Sequence, residues 1–260
     1  MKKVYFILFS AMMLCLACQW QMKPGKDQGD KKTIRIERYD QIELRYLTQG
    51  DYAALHEMNA RYPRQTRTLV EDVLKIGRID DADISGRFHS YFQDSVLQTI
   101  VTDVNAEYED MSDIEKQLTK AFYRLHELLP DLEIPMFYTQ IGALDQSIVV
   151  DSCCVGISLD KYLGADYDIY KKYNYSEWQR DMMKRQYIVP DCLGFYLLSH
   201  YPIPVDQSGH ADSSLHMGKI QWAVNFATRH QYFDNEHVKH AARLMKDNPK
   251  DLERVLMEGR

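Results

Sequence analysis

The chain has 260 residues, 45% of them hydrophobic, and a formal net charge of −6 at pH 7. An acidic chain is a poor candidate for binding nucleic-acid phosphates, so we expect no nucleic-acid partner. The length suffices for one sizeable domain, and we find neither an internal repeat nor a second linker that would divide it.

The N-terminus predicts export. Two lysines precede an apolar run from Val4 to Ala17, and Cys18 follows the run. This pattern is typical of a secretory signal, and the run is shorter than the roughly 20 residues of a membrane-spanning helix. Because a small residue precedes the cysteine, we expect residues 1–17 to be a lipoprotein signal peptide and Cys18 to be acylated, for example with palmitate. The alternatives are an ordinary cleaved signal and an uncleaved anchor, and the charges after Cys18 argue against the anchor.

Residues 18–32 are polar after the cysteine and contain two glycines and one proline, which is typical of a flexible tether. The tether would span about 20 Å by the flexible-coil rule. Acyl chains, rather than a basic surface, would hold the protein on the membrane. Lys23 and Lys26 near the anchor favour the outer membrane, facing the periplasm. The folded domain is then predicted to occupy residues 33–260.

The first folded segment, "TIRIERYDQIELRYL" (33–47), alternates apolar and polar residues. Alternation predicts two short strands, or one strand broken at Asp40. The next segments, "DYAALHEMNARY" and "TRTLVEDVLKIG", have helical patterns that end at Pro63 and Gly77. A further helix is predicted from the apolar spacing between Phe88 and Val104.

The segment "SDIEKQLTKAFYRLHELL" (112–129) has the clearest helical pattern. Ser112 and Glu115 have the spacing of a capping box, and Pro130 would end the helix. Its apolar stripe consists of Ile114, Leu118, Phe122, Leu125 and Leu129. Two strands are predicted next, "EIPMFYTQIG" and "QSIVVDSCCVGISL", joined by a loop at residues 142–146.

The last third of the chain is predicted to be helical. Ser176 and Gln179 have the spacing of a second capping box. The stretches "PDCLGFYLLSHYP", "HMGKIQWAVNFATRHQ" and "NEHVKHAARLMKD" follow, and in "NPKDLERVLMEG" Asn248 would cap a helix that starts at Pro249. We therefore predict an α+β fold, a mostly helical single domain with a small central β-sheet.

Motifs that carry catalysis are mostly missing from the sequence. It has no GxSxG nucleophile elbow, P-loop or HExxH zinc motif. His237 and His240 are spaced to chelate a metal beside Glu236, although an ordinary charged helix explains them as well. A Ser-His-Asp triad drawn through "VDQSGHADSS" rests on composition alone. We predict no catalytic residue, no metal and no cofactor.

Three cysteines would remain beside the acylated one. Neighbouring side chains of a strand point to opposite faces, so Cys153 and Cys154 cannot share one site, and a disulfide between them would be strained. An exported protein could instead oxidise either one with Cys192. The other interpretation is that small buried hydrophobic residues fill a central strand.

The stretch "VGISLDKYLGADYDIY" and two later segments, "RQYIVPD" and "MGKIQWAVNF", resemble the gliding motility lipoprotein GldB family of Bacteroidetes. The family pattern is Gly-x-x-Leu-Asp-x-Tyr-Leu-Gly-x-Asp-Tyr, then a Tyr-Ile-Val-Pro-Asp-like segment and a Gly-Lys-Ile helix. The resemblance covers about residues 33–230, and the lipoprotein start agrees with it. The candidate site residues that it implies, structural or partner-binding, are Gly156, Leu159, Asp160, Tyr162, Leu163, Gly164, Asp166, Tyr167, Pro190 and Asp191.

The resemblance implies one function and leaves a second open. The family looks distantly similar to zinc peptidases, whose metal helix would here be "PDCLGFYLLSHYP", with only His200 and no glutamate partner. The first interpretation is a non-catalytic accessory of gliding or surface secretion machinery that acts through envelope protein partners. The alternative is a divergent, peptidase-like metal-dependent hydrolase built from Asp160, His200 and their neighbours. We expect Asp160 to accept backbone N–H bonds at the start of a short helix and His200 to lie at a helix end.

Overall fold

The computed structural model describes residues 33–151, 153–203 and 210–258, without the side chains of 210–212. The predicted signal peptide, Cys18 and the tether lie outside these residues, as does most of the loop of the proposed triad. The described chain is mostly helical around a small sheet, which confirms the α+β prediction.

Among the described residues, strand β1, Ile36–Glu37, comes first, and six α-helices lie between it and the second strand of the sheet. The helices are α1 Tyr39–Gln49, α2 Tyr52–Arg61, α3 Pro63–Arg67 with a π-helical continuation Thr68–Val73, α4 Ile84–Tyr91, α5 Ser95–Glu107 and α6 Ser112–Leu128.

The remaining strands follow α6, and the other helices come after them. The strands are β2 Met136–Gln140, β3 Ile148–Val150 and β4 Cys154–Ser158. The helices are α7 Asp168–Lys172, α8 Glu177–Met182, α9 Ile188–His200, α10 His210–Thr228, α11 Glu236–Leu244 and α12 Leu252–Met257. Short 3-10 turns lie at Leu159–Lys161, Arg185–Tyr187 and Pro249–Asp251.

The sheet has the order β1-β2-β4-β3, with β1, β2 and β4 parallel and β3 antiparallel to β4. All five residues of β4 are buried, as expected for a parallel strand covered on both faces. The apolar stripe of α6 packs on the sheet, where the Phe122 and Phe137 rings lie 5.6 Å apart. The predicted helical stripe of residues 114–129 is therefore confirmed as core.

Packing against a neighbouring strand explains why the first position of the motif, Gly156, is a glycine. It lies opposite Tyr138 in the register of β2 and β4. A Cβ atom on Gly156 would lie 2.5 Å from the Tyr138 ring, closer than van der Waals contact permits. The missing side chain thus makes room for a large buried tyrosine on the neighbouring strand.

The strand predicted for the second half of residues 33–47 is wrong, because those residues belong to helix α1. Ile42, Glu43, Tyr46 and Leu47 are buried with helical spacing, whereas Leu44 is only half-buried. The helix ends at Gly50, whose φ of +64° lies in the left-handed region that favours glycine. The apparent alternation arose because a polar residue, Glu43, lies on the buried face.

The capping box predicted at Ser112 is also wrong. Ser112 is itself the first helical residue, and its backbone N–H and hydroxyl bond to Asp110 at 2.8 and 3.0 Å. Glu115 instead accepts the Ile36 N–H at 3.0 Å and an Arg35 N–H at 2.8 Å, so it fastens β1 to α6.

The helix starts predicted later in the chain have different outcomes. The box at Ser176 and Gln179 is confirmed, with both reciprocal bonds formed. Asn248 precedes a 3-10 turn that begins at Pro249, but its side chain makes no capping bond and donates to Asp251 at 2.6 Å instead.

The segment predicted as one strand around the cysteines is a hairpin. A tight turn between β3 and β4 places Asp151 N–H 2.9 Å from the Cys154 carbonyl. Cys153 lies on this turn and is exposed, whereas Cys154 and Cys192 are buried, and all three thiols are free. The disulfide to Cys192 is not formed, and the interpretation as buried hydrophobic residues fits Cys154 and Cys192 but not Cys153.

Candidate functional site

The motif segment 156–167 leaves the sheet at an edge where buried acids collect. The parallel strands β1, β2 and β4 all end at this edge, which we call the acid edge and define by Asp40, Glu43 and Asp160. All three acids are among the few buried charged residues of the described chain. Buried carboxylates need hydrogen-bond partners, so their bonds decide whether this edge is scaffold or reaction centre.

Asp160 is wholly buried and holds a loop in place. Its two carboxylate oxygens accept the backbone N–H groups of Gly142 at 2.8 Å and Leu144 at 2.5 Å. These donors belong to the loop after β2, not to the start of the short turn that contains Asp160, where we expected them. Burial raises the pKa of Asp160, and the two N–H bonds oppose that rise.

The other two acids both lie on α1. Asp40 accepts the Thr139 hydroxyl and a bidentate pair of bonds from Arg38 at 2.9 and 2.7 Å. Glu43 accepts the Ile141 N–H at 2.9 Å through one oxygen, while its other oxygen has no partner. Burial raises the pKa of Glu43 well above its usual range, and the negative charges of Asp160 and Asp40 add to the rise.

Sequence reasoning missed Asp40 and Glu43 as members of this cluster. The strand predicted over 33–47 hid them, because it placed Glu43 among the polar, outward-facing positions. The available signal was helical: Tyr39, Ile42, Tyr46 and Leu47 share a face with Glu43 at intervals of three and four.

Tyrosines join the motif segment to the rest of the fold. The Tyr170 hydroxyl donates to the Asp160 carbonyl at 2.6 Å, and the Tyr108 hydroxyl donates to the Tyr162 carbonyl at 2.6 Å. The Tyr167 hydroxyl donates to Asp103 at 2.7 Å. Sequence reasoning missed Tyr108 and Tyr170, which no motif position marks.

The other motif residues also have positions that explain them, with one exception. Leu159 is buried, and Leu163 is half-buried and donates its N–H to the Tyr170 hydroxyl oxygen at 2.9 Å. Gly164 has a φ of +108° and donates its N–H to Met183 at 2.9 Å. The exception is Asp166, which is exposed.

Tyr162 connects the motif segment to Asp191 by a hydrogen bond. Its hydroxyl donates to the Asp191 carboxylate at 2.7 Å, and Asp191 lies near the start of α9. Burial raises the pKa of Asp191 to about 7, although the bond from Tyr162 lowers it. Unlike the acids of the acid edge, Asp191 is only partly buried.

Asp191 lies in an apolar groove between α9 and α10, which we call the α9–α10 groove. The groove has a volume of about 160 Å³. Among the described residues that line it, Asp191 is the only ionisable one. Its principal walls are formed by Pro190, Phe195, Leu198, Met217, Ile220 and Phe233.

The Gly-Lys-Ile stretch of the motif lies on α10, which forms one wall of this groove. A Cβ atom on Gly218 would lie 2.6 Å from the backbone carbon of His237, so the glycine permits close packing of α10 against α11. Lys219 donates to the Val255 carbonyl at 2.8 Å and so ties α10 to α12. Ile220 packs into the core and also lines the groove.

Asp160 and His200, the residues of the hydrolase alternative, lie in different surroundings. Both oxygens of Asp160 are engaged by backbone N–H groups, whereas His200 is exposed at the end of α9. About 14 Å of helix separates Asp191, which lies beside the motif segment, from His200. His237 and His240 lie on α11 as predicted, yet the described residues contain no group of three or more His, Cys, Asp or Glu side chains that could hold a metal ion.

Comparison with known proteins shows a match to a family. A family model described as gliding motility protein GldB matches residues 21–236. No curated protein and no solved structure is found to match, so the expected distant likeness to zinc peptidases gains no support. Among the described helices, none has the length and apolar character needed to cross a membrane.

Proposed function

The chain belongs to the gliding motility protein GldB family, and on that premise we propose that it is a lipid-anchored envelope protein that supports gliding or surface secretion by binding protein partners. In this proposal the protein catalyses no reaction of its own. Its folded domain presents a binding surface, and the motif residues keep that surface in shape.

The observation that carries the proposal is a division among the motif residues. Asp160 accepts two buried backbone N–H bonds, and Tyr162 accepts the Tyr108 hydroxyl on its buried carbonyl, as a scaffold requires. Pro190 and Asp191 instead line an open apolar groove. Open apolar surfaces with a few polar groups are typical of protein-binding sites, which supports partner binding over catalysis.

The anchor is part of the same proposal. The N-terminal pattern supports acylation of Cys18, which would place the domain on the periplasmic face of the outer membrane. In the native bacterium, Cys18→Ser should move the protein out of the membrane fraction. An unchanged distribution between the fractions would reject the anchor and leave the partner-binding proposal standing.

Gene deletion in the native bacterium tests the role in motility. Deletion should abolish colony spreading or reduce the display of secreted surface proteins, and the wild-type gene should restore both. Normal spreading and normal surface display in the deletion strain would contradict the proposal.

Metal content separates this proposal from the hydrolase alternative. Protein purified without added metal should contain no stoichiometric zinc by elemental analysis, and His200→Ala should leave motility largely intact. About one tightly held zinc per chain, lost together with motility in His200→Ala, would favour the hydrolase.

A further inference from the structure

The walls of the α9–α10 groove leave large apolar side chains open to a partner. Phe195 is 45% exposed although it lies in the middle of the apolar helix α9. Met217 and Phe233 face it from α10 and from the segment that follows α10. Aromatic and methionine side chains that remain accessible in a groove are those that most often anchor a bound protein segment.

The size of the groove points to an inserted side chain. Pockets that enclose whole small molecules usually measure about 300–1,000 Å³. The volume here is about 160 Å³. The groove is therefore too small to enclose a drug-sized ligand but large enough for a side chain presented by another protein.

The charge of the groove points to a cation. Asp191 receives one hydrogen bond, from Tyr162, and an ionised carboxylate can accept several more. Gln221 is the other polar side chain of the lining, and it is neutral. A carboxylate surrounded by apolar side chains is stabilised best by a cation that donates hydrogen bonds to it.

We infer that the α9–α10 groove binds a segment of a partner protein in which a lysine or arginine, flanked by large apolar residues, pairs with Asp191. The apolar residues pack against Phe195, Met217 and Phe233. This inference rests on the proposed function and specifies its partner. A lipid acyl chain fits less well, because it would cover Asp191 without offering a donor.

The pairing makes binding depend on pH. The titratable groups that face Asp191 are the Tyr162 phenol and the neighbouring Cys192 thiol, and burial raises the pKa of both well above their usual values. Both stay neutral around pH 7, so Asp191 alone changes charge there. Since burial raises the pKa of Asp191 to about 7, the carboxylate is formed above that pH and lost below it. Binding should weaken from pH 8 to pH 6.

The test uses a random peptide display library and the full-length protein in detergent. Selected peptides should carry a lysine or arginine next to large apolar residues, and they should compete with one another for one site. Asp191→Asn should weaken their binding about tenfold or more, as expected for a lost hydrogen bond between charged groups. Phe195→Ala should weaken it as well, without affecting thermal unfolding, because Phe195 is partly exposed.

Matched controls on the surface make the result specific. Trp178 is 70% exposed on α8, and Asp168 is an exposed acid on α7. Trp178→Ala and Asp168→Asn should bind the peptides as the wild type does. Selected peptides without a cation, no selected peptides, or equal binding by Asp191→Asn would each overturn the inference.

A parallel measurement in cells separates failure of the inference from failure of the proposed function. A photo-crosslinking residue at position 195 should give adducts with an envelope protein, whereas one at position 178 should not. Normal motility and unchanged adducts in Asp191→Asn cells, together with loss of motility on gene deletion, would overturn the groove's cation pairing but keep the accessory role. Normal motility after deletion would overturn the proposed function itself.

Discussion

The acid edge and the α9–α10 groove both hold acids whose pKa burial raises, yet they differ in how those acids are bonded. At the acid edge, Asp160 engages two backbone N–H groups, and Glu43 engages one backbone N–H while its other oxygen is enclosed in the core without a partner. In the groove, Asp191 accepts one hydrogen bond, from Tyr162, and apolar side chains line the open space around it. A saturated buried carboxylate is a structural clamp, whereas a partly satisfied one beside open surface retains the capacity to bind.

Asp160→Ala should have the largest effect and would test whether the acid edge is scaffold. It removes both acceptors of the Gly142 and Leu144 N–H groups, and we expect a loss of about 3–5 kcal/mol in the free energy of unfolding. Urea denaturation measures it, with Asp168→Ala on the exposed surface as the control. A stable variant that fails only in motility would instead make Asp160 part of a working site.

Gly156→Ala should have the next largest effect. The added methyl group would lie 2.5 Å from the Tyr138 ring, so the two strands or the ring must shift, at a cost of about 1–3 kcal/mol. Gly86→Ala is a control, because a Cβ atom there meets nothing within 4 Å. Thermal unfolding of both variants should separate them, and equal melting temperatures would show that packing does not explain the motif glycine.

Glu43→Gln should increase stability, and the gain should grow with pH. The folded protein holds a proton on Glu43 more tightly than the unfolded chain, so this group contributes most below its unfolded pKa and less as pH rises toward the folded one. The amide keeps an acceptor for Ile141 and removes the buried charge. Urea denaturation should show a larger gain at pH 8 than at pH 5. Loss of stability at pH 8 would indicate that the charge is needed there.

Asp191→Asn should have the clearest effect on binding and an effect on stability that depends on pH. Because burial raises the pKa of Asp191 to about 7, its carboxylate destabilises the fold increasingly as pH rises from the unfolded pKa near 4, so removing it should stabilise the fold most above neutral pH and least at acidic pH. Peptide affinity should fall in the same variant. Opposite signs for stability and binding distinguish a binding residue from a clamp, and a loss of both would place Asp191 with the acid edge.

The sequence allowed prediction of elements whose signals are local. The stripe of α6, the apolar helix α9 and the capping box at Ser176 all rest on residues within one or two turns. The hairpin turn at Cys153 escaped prediction because a continuous apolar run does not show where a strand reverses. The capping box predicted at Ser112 and Glu115 was wrong for a different reason. A glutamate at that spacing fits a capping box, but here Glu115 accepts the Ile36 N–H of β1 instead.

The candidate site was predictable only in part. The resemblance marked Pro190 and Asp191, but nothing in the sequence showed that Met217 and Phe233 would face them across a groove. Such a surface depends on how α9 and α10 pack, which is a tertiary property. The acid edge was hidden for the same reason, because Asp40 and Asp160 are brought together by the sheet and not by sequence spacing.

The parallel pairing of β1 with β2 has a consequence for how the chain reaches its fold. The Thr139 hydroxyl bonds to the Glu37 carbonyl across 102 residues of sequence, so the first strand cannot find its partner until the intervening helices are present. Closing so long a loop slows folding. Until it closes, the unpaired strand can pair with other chains and promote aggregation. A β1 of only two residues offers little edge to other chains, which limits aggregation while the chain emerges with its N-terminus first.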